Sequence, residues 1–202
     1  MFAGIADAVE ARKGWLCELD GVIGDADHGI AMALGFNAAR DAVSALDLSS
    51  ADPTSVLNIA AKSFLNAVGA SSGPLYATAL IRGAVAVKGK AALDDADFVA
   101  MLEAMAKGIQ DRGKAEIGEK TMVDAWLPAA QAAAEAGTAG KSLAESLDAA
   151  VAAATRGAEA TKDMIASKGR SARLGERSRG HMDPGAASAV IVIEAMRKAL
   201  AG

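Results

Sequence analysis

With 202 residues, a formal charge of −4, and 52% hydrophobic but only 3% aromatic side chains, the chain has the size and balance of one acidic, alanine-rich helical domain. The acidic balance argues against a protein that coats nucleic acid. No apolar run reaches the length of about eighteen residues that a membrane span requires, and the first fifteen residues lack the basic start and apolar centre of an export signal, which together point to a cytoplasmic chain. Cys17 has no disulfide partner and sits in an apolar helical stretch, where it reads as a packing residue.

The 3.6-residue rhythm and its breakers predict eight helices, over 2–20, 28–46, 53–68, 74–88, 95–112, 120–136, 141–167 and 184–200, and no convincing strand. Between the first two lies "ELDGVIGDADHG", residues 18–29, which gathers Asp20, Asp25, Asp27 and His28. On an unbroken helix Asp25 would point away from the other two carboxylates, so a turn is expected after Gly21, with Gly24 taking positive φ, to let all three converge. Three hard oxygen donors without cysteine suit Mg²⁺ or Ca²⁺ better than zinc. An EF-hand is excluded, because the fifth and twelfth places counted from Asp25 are Gly29 and Phe36. Taken alone, the loop also reads as a solvated acidic cap.

The third helix starts at Asp52-Pro53, an aspartate cap followed by proline at the first helical position. It ends at "GASSGP", residues 69–74, where Gly69, Ser71, Ser72 and Gly73 precede a helix start whose free N–H groups attract anions. A tight turn would have the same composition. The fifth and sixth helices meet through "RGKAEIGEKT", residues 112–121. The seventh leads into "SKGRSARLGERSRGHMDPG", residues 167–185, which carries five cations against one glutamate and reads as too long and too charged to pack without a ligand. The eighth starts at Asp183-Pro184.

If successive helices are antiparallel, these four loops share one end, while "LDLSSADP" and "AGTAGK" have ordinary loop composition and share the other. Metal carboxylates, anion-binding backbone and arginines would then meet on one face, as metal-dependent binding of a phosphorylated ligand requires. Periodicity alone does not separate a bundle from a closed barrel.

"LDGVIGDADHG", "GASSGPLYAT", "RGKAEIGEKTMVDAWLPA" and "KGRSARLGERSRGHMDPGAAS" together resemble the dihydroxyacetone kinase L family, DhaL, in the same order over about residues 18 to 190. The resemblance implies that residues 1–202 form a single DhaL-type domain, an all-α, eight-helix antiparallel up-and-down barrel with the nucleotide at one rim. It implies two Mg²⁺ ions on Asp20, Asp25 and Asp27, and ADP or ATP on His28, Gly29, Ile30, Ala31, Ser71, Ser72, Gly113, Met122, Arg170, Asp183, Pro184 and Gly185. His28 and Arg170 would assist at the phosphates. Members often carry asparagine where this chain has Ala31, aspartate in place of Glu119 and glycine in place of Ala70. The short ketose is expected on a separate K subunit, and either ATP or a phosphotransferase-system protein would supply the phosphate. Neither nucleic acid nor membrane is an expected partner, and a homodimer is compatible with the reading. The alternative is a non-catalytic nucleotide-binding or regulatory module that contacts a transcription factor.

Overall fold

Eight α-helices alternate in direction among the described residues, which are 1–47 and 49–200 of this computed structural model. They are α1 (Phe2–Ile23), α2 (His28–Ser44), α3 (Pro53–Ala67), α4 (Ser72–Ala86), α5 (Asp95–Gly113), α6 (Val123–Thr138), α7 (Leu143–Ala160) and α8 (Pro184–Leu200). Leu48, in the "LDLSSADP" connection, lies outside the described residues. Each helix packs against its neighbour in sequence, and α8 closes the ring on α1, so the arrangement is a closed barrel. No strand occurs among the described residues, and no helix there is long and apolar enough to cross a membrane.

The barrel is plugged by most of the chain's few aromatics. Phe36 from α2 meets Phe64 from α3 edge-on with ring centres 5.0 Å apart, Tyr76 from α4 lies 5.5 Å from Phe36, and Trp126 from α6 lies 6.2 Å from Tyr76. Alanine is the commonest of the other buried residues, which lets the helix backbones approach closely.

The two rims are built differently. At the rim where α3, α5 and α7 begin, each helix carries its own cap: the Ser55 amide donates to Asp52 at 2.6 Å, and Asp94 with Asp97 and Ser142 with Glu145 form reciprocal capping boxes. At the opposite rim, the residues that precede α2, α4 and α6 make no side-chain cap bond. Asp20 from α1 replaces the missing cap of α2, and Asp124 serves the turn before α6 by accepting from the Thr121 amide at 2.8 Å. The start of α4 is left open.

Three boundaries depart from the expected ones by three residues or more. α1 continues to Ile23, past Gly21, and the positive φ falls on Ala26 (62°) while Gly24 stays at −144°. What Gly24 provides is room, because a Cβ there would run into the Asp20 carboxylate. α6 begins at Val123, after a left-handed Lys120. α7 stops at Ala160 instead of 167, giving way to short 3₁₀ turns at Thr161–Asp163 and Ser171–Ser178. The Thr161 hydroxyl donates to the Ala158 carbonyl at 2.6 Å and accepts from the Asp183 amide at 2.9 Å, so a tertiary tie competes with the helix ladder at that point.

Candidate functional site

A cleft of about 670 Å³ opens at the rim where α2, α4, α6 and α8 begin, and all four connections singled out in the sequence line it. Asp20 reaches it from the last turn of α1. That residue is buried, and its Oδ2 accepts from the amides of Asp27 at 3.0 Å and His28 at 3.2 Å, so it both caps α2 and is held in orientation by it. Asp25 and Asp27 follow on the turn made by Ala26. One oxygen from each of the three carboxylates lies within 4.8 Å of the others.

Burial raises the Asp27 carboxyl above its ordinary range, the charges of Asp25 and Asp20 push it further, and Arg170 opposes them. The Arg170 guanidinium forms an ion pair with Asp25. Oxygen donors alone, with no thiolate among them, fit Mg²⁺.

His28 turns inward from the first position of α2. Its Nε2 lies 2.9 Å from Ser188 Oγ, and the Ser188 hydroxyl donates to the Gly185 carbonyl at 2.9 Å. Since that hydroxyl has one proton to give, Nε2 carries the imidazole proton and Nδ1 keeps its lone pair. Burial lowers the His28 pKa more than the Asp20 charge raises it, which favours the neutral ring.

Across the cleft, Ser72 opens α4. It is 4% exposed, and its hydroxyl has no hydrogen-bond partner among the described residues. Ser71 beside it is exposed, and both line the cleft with Gly69 and Pro74. Leu75, Ile109, Gly113 and Met122 form an apolar slot next to them, and Arg112, Lys168 and Arg173 add positive charge to the walls. Asp183, Pro184 and Gly185 close the far side, where Asp183 caps α8 by accepting from the Ala186 amide at 2.7 Å.

Of the residues expected here, Gly29 and Ile30 do not line the cleft. Gly29 faces α1, where a Cβ would strike the Lys13 carbonyl and Cys17 Sγ, and Ile30 points outward, half exposed. Ala31 does line it.

The segment between α7 and α8, expected to be loose, is tied at several points. The Ala166 amide donates to Ser178 Oγ at 2.9 Å, the Gly180 amide to the Lys162 carbonyl at 2.7 Å, and Ser167 Oγ to Glu119 at 3.1 Å. Lys120 and Asp124, missed in the sequence, are both 1% exposed. Lys120 lines the cleft and donates through Nζ to the carbonyls of Thr161 and His181. A T-x-x-D pattern at Thr121 and Asp124 was the available signal for the turn; nothing in the composition marked the lysine.

The family model described as the DAK2 domain matches residues 22–198. The chain is 39% identical over 190 residues, 94% of its own length and 89% of the relative's, to the PEP-dependent dihydroxyacetone kinase 1, ADP-binding subunit DhaL, of Listeria innocua. It is 37% identical over 188 residues, 93% and 89% of the two lengths, to the corresponding subunit of the PEP-dependent dihydroxyacetone kinase of Escherichia coli K12. Among solved structures, the dihydroxyacetone kinase from C. freundii in complex with AMP-PNP and Mg²⁺ shares the fold with a TM-score of 0.71 at 24% identity, over 98% of this chain and 33% of that one.

Proposed function

Since the chain belongs to the DAK2 domain family, we propose that it is the nucleotide-binding subunit of a dihydroxyacetone-type kinase, and that the rim cleft holds ADP or ATP with two Mg²⁺ ions. The observation that carries the reading is the convergence of Asp20, Asp25 and Asp27 opposite an uncapped α4 start with a buried, unpartnered Ser72 hydroxyl. Cation ligands and anion donors facing each other across one cleft are what a metal-bound polyphosphate needs.

Asp20, Asp25 and Asp27 would hold the metal, which when bound offsets phosphate charge and polarises the terminal phosphoryl group. Asp20 is kept in place by the two amides at the start of α2, so its free oxygen is already aimed at the cluster. The Ser72 amide at the head of α4 and the Ser72 hydroxyl donate to phosphate oxygens, since the Gly73 amide is held by the Ala70 carbonyl at 3.0 Å and Pro74 has no N–H. Arg170, now on Asp25, is free to pair with phosphate once the carboxylates are neutralised. Met122, Leu75 and Ile109 pack against the base, with Gly113 beside them. His28 presents Nδ1 as an acceptor, and the segment from Thr161 to Asp183 shields the site from water.

A short ketose, dihydroxyacetone or a tetrulose, is carried on a separate K subunit. The names of the relatives, PEP-dependent and ADP-binding, favour a resident ADP recharged by a phosphotransferase-system protein over free exchange of ATP.

Calorimetric titration with ADP tests the site. Wild-type protein should bind only with Mg²⁺, and Asp25→Asn or Asp27→Asn should abolish binding without unfolding the chain, since each loses a ligand charge but keeps the side-chain shape. Full affinity in either variant, or in excess chelator, would overturn the assignment.

A further inference from the structure

We propose that Lys120 is a positioning residue that locks the strap between α7 and α8 into the shape that places Arg170 over the aspartate cluster. Its ammonium donates to the carbonyls of Thr161 and His181, one at each foot of the strap. No other side chain in the described residues joins both feet by donating to the backbone of each. The side chain is 1% exposed, so an ammonium has been drawn out of water to make these bonds. Its backbone is also left-handed, with φ of 60°. Glycine would make the same turn with less strain, but only the ammonium links the two carbonyls.

The feet are reinforced nearby. The Asp183 amide donates to Thr161 Oγ1 at 2.9 Å, and the Gly180 amide to the Lys162 carbonyl at 2.7 Å. Burial lowers the Lys120 pKa, and the charges of Asp183, Asp124 and Asp163 oppose that only in part. The tip differs from the feet. The Arg170 side chain is 65% exposed and its ion-pair partner is Asp25, so where it points is decided by the strap beneath it. Lys120 therefore acts on the nucleotide site through Arg170, without itself being a ligand.

The affinity readout below rests on the nucleotide reading; the exchange readout does not. Mg-ADP affinity is measured for wild type, Lys120→Met, Arg170→Ala and the double variant. Arg170→Ala should weaken binding about tenfold in the wild-type background and less than about twofold in the Lys120→Met background. The same loss in both backgrounds overturns the proposal. In nucleotide-free protein, Lys120→Met should speed amide exchange across 168–177 while leaving α3 and α5 unchanged, and a uniform increase over the whole chain would mark an ordinary core residue instead. Should Lys120→Met fail to fold, Lys120→Gln, which drops the charge but keeps a polar end, is read in its place: faster exchange across 168–177 than in wild type supports the clamp, and exchange equal to wild type refutes it. If wild type binds no nucleotide, the proposed function falls, and exchange alone judges Lys120.

Discussion

Asp183 both caps α8 and lines the cleft, and burial pushes its carboxyl up to about 7 from an ordinary 3.8, although the Ala186 amide and Lys120 pull it back. An acid whose folded pKa lies above its unfolded one holds its proton longer in the folded chain. Its contribution to stability is full below about pH 4 and is lost as pH rises through about 7, at no more than about 1.4 kcal/mol per pH unit. Asp183→Asn imitates the neutral acid and can still accept from the Ala186 amide. Urea denaturation from pH 4 to 8 should therefore show wild type losing stability relative to the variant as pH rises, and a constant difference would show that the carboxyl titrates normally. The three clustered aspartates were legible in the sequence because identity and short spacing suffice to suspect that they converge. Asp183 was legible as a cap, but its raised pKa follows from burial, which no local pattern encodes. Lys120 itself reads as one more cation in a polar loop until the left-handed turn carries it under the strap.

At the scale of helices and connections, the start of α2 depends on how closely α1 can approach. A methyl group at position 29 would meet the Lys13 carbonyl and Cys17 Sγ, both on α1. Gly29→Ala should lower stability by about 1–3 kcal/mol, as overpacking does, and weaken Mg-ADP binding by moving the Asp27 and His28 amides off Asp20. Denaturation and titration of the same variant check both halves. The strap offers a second expectation: Mg-ADP should slow exchange across 168–177 and change little at 178–183, where the chain is already tied. Slowing spread evenly over both parts would mean that the whole segment closes as one body. Helix starts were readable where the signal is local, as at Asp52-Pro53. The end of α7 was not, because Met164 and Ile165 continue the apolar rhythm while Thr161 is drawn away by Asp183, a residue far along the chain.

For the molecule as a whole, phosphoryl transfer needs an acceptor oxygen in line with the leaving group, and the loops of the cleft rim all line the one cleft that the proposed metal and nucleotide would fill. The purified chain should bind ADP yet transfer no phosphate to dihydroxyacetone until a K subunit is added, in a coupled assay with ATP and, separately, with a phosphorylated phosphotransferase-system donor. Robust transfer by the chain alone would overturn this half-enzyme reading, and silence with every cognate partner would favour a regulatory module. Antiparallel succession was enough to place four loops at one end, but closure of the ring rests on the contact of α8 with α1, which periodicity does not reveal. That closure has a topological consequence. Both α1 and α8 have their terminal ends at the rim opposite the cleft, on adjacent staves, so the order in which the staves are threaded is not what shapes the site. A circular permutant whose old termini are joined by a flexible linker and whose new ends lie at Gly140, in the exposed α6–α7 turn, should fold into the same barrel and bind Mg-ADP with unaltered affinity.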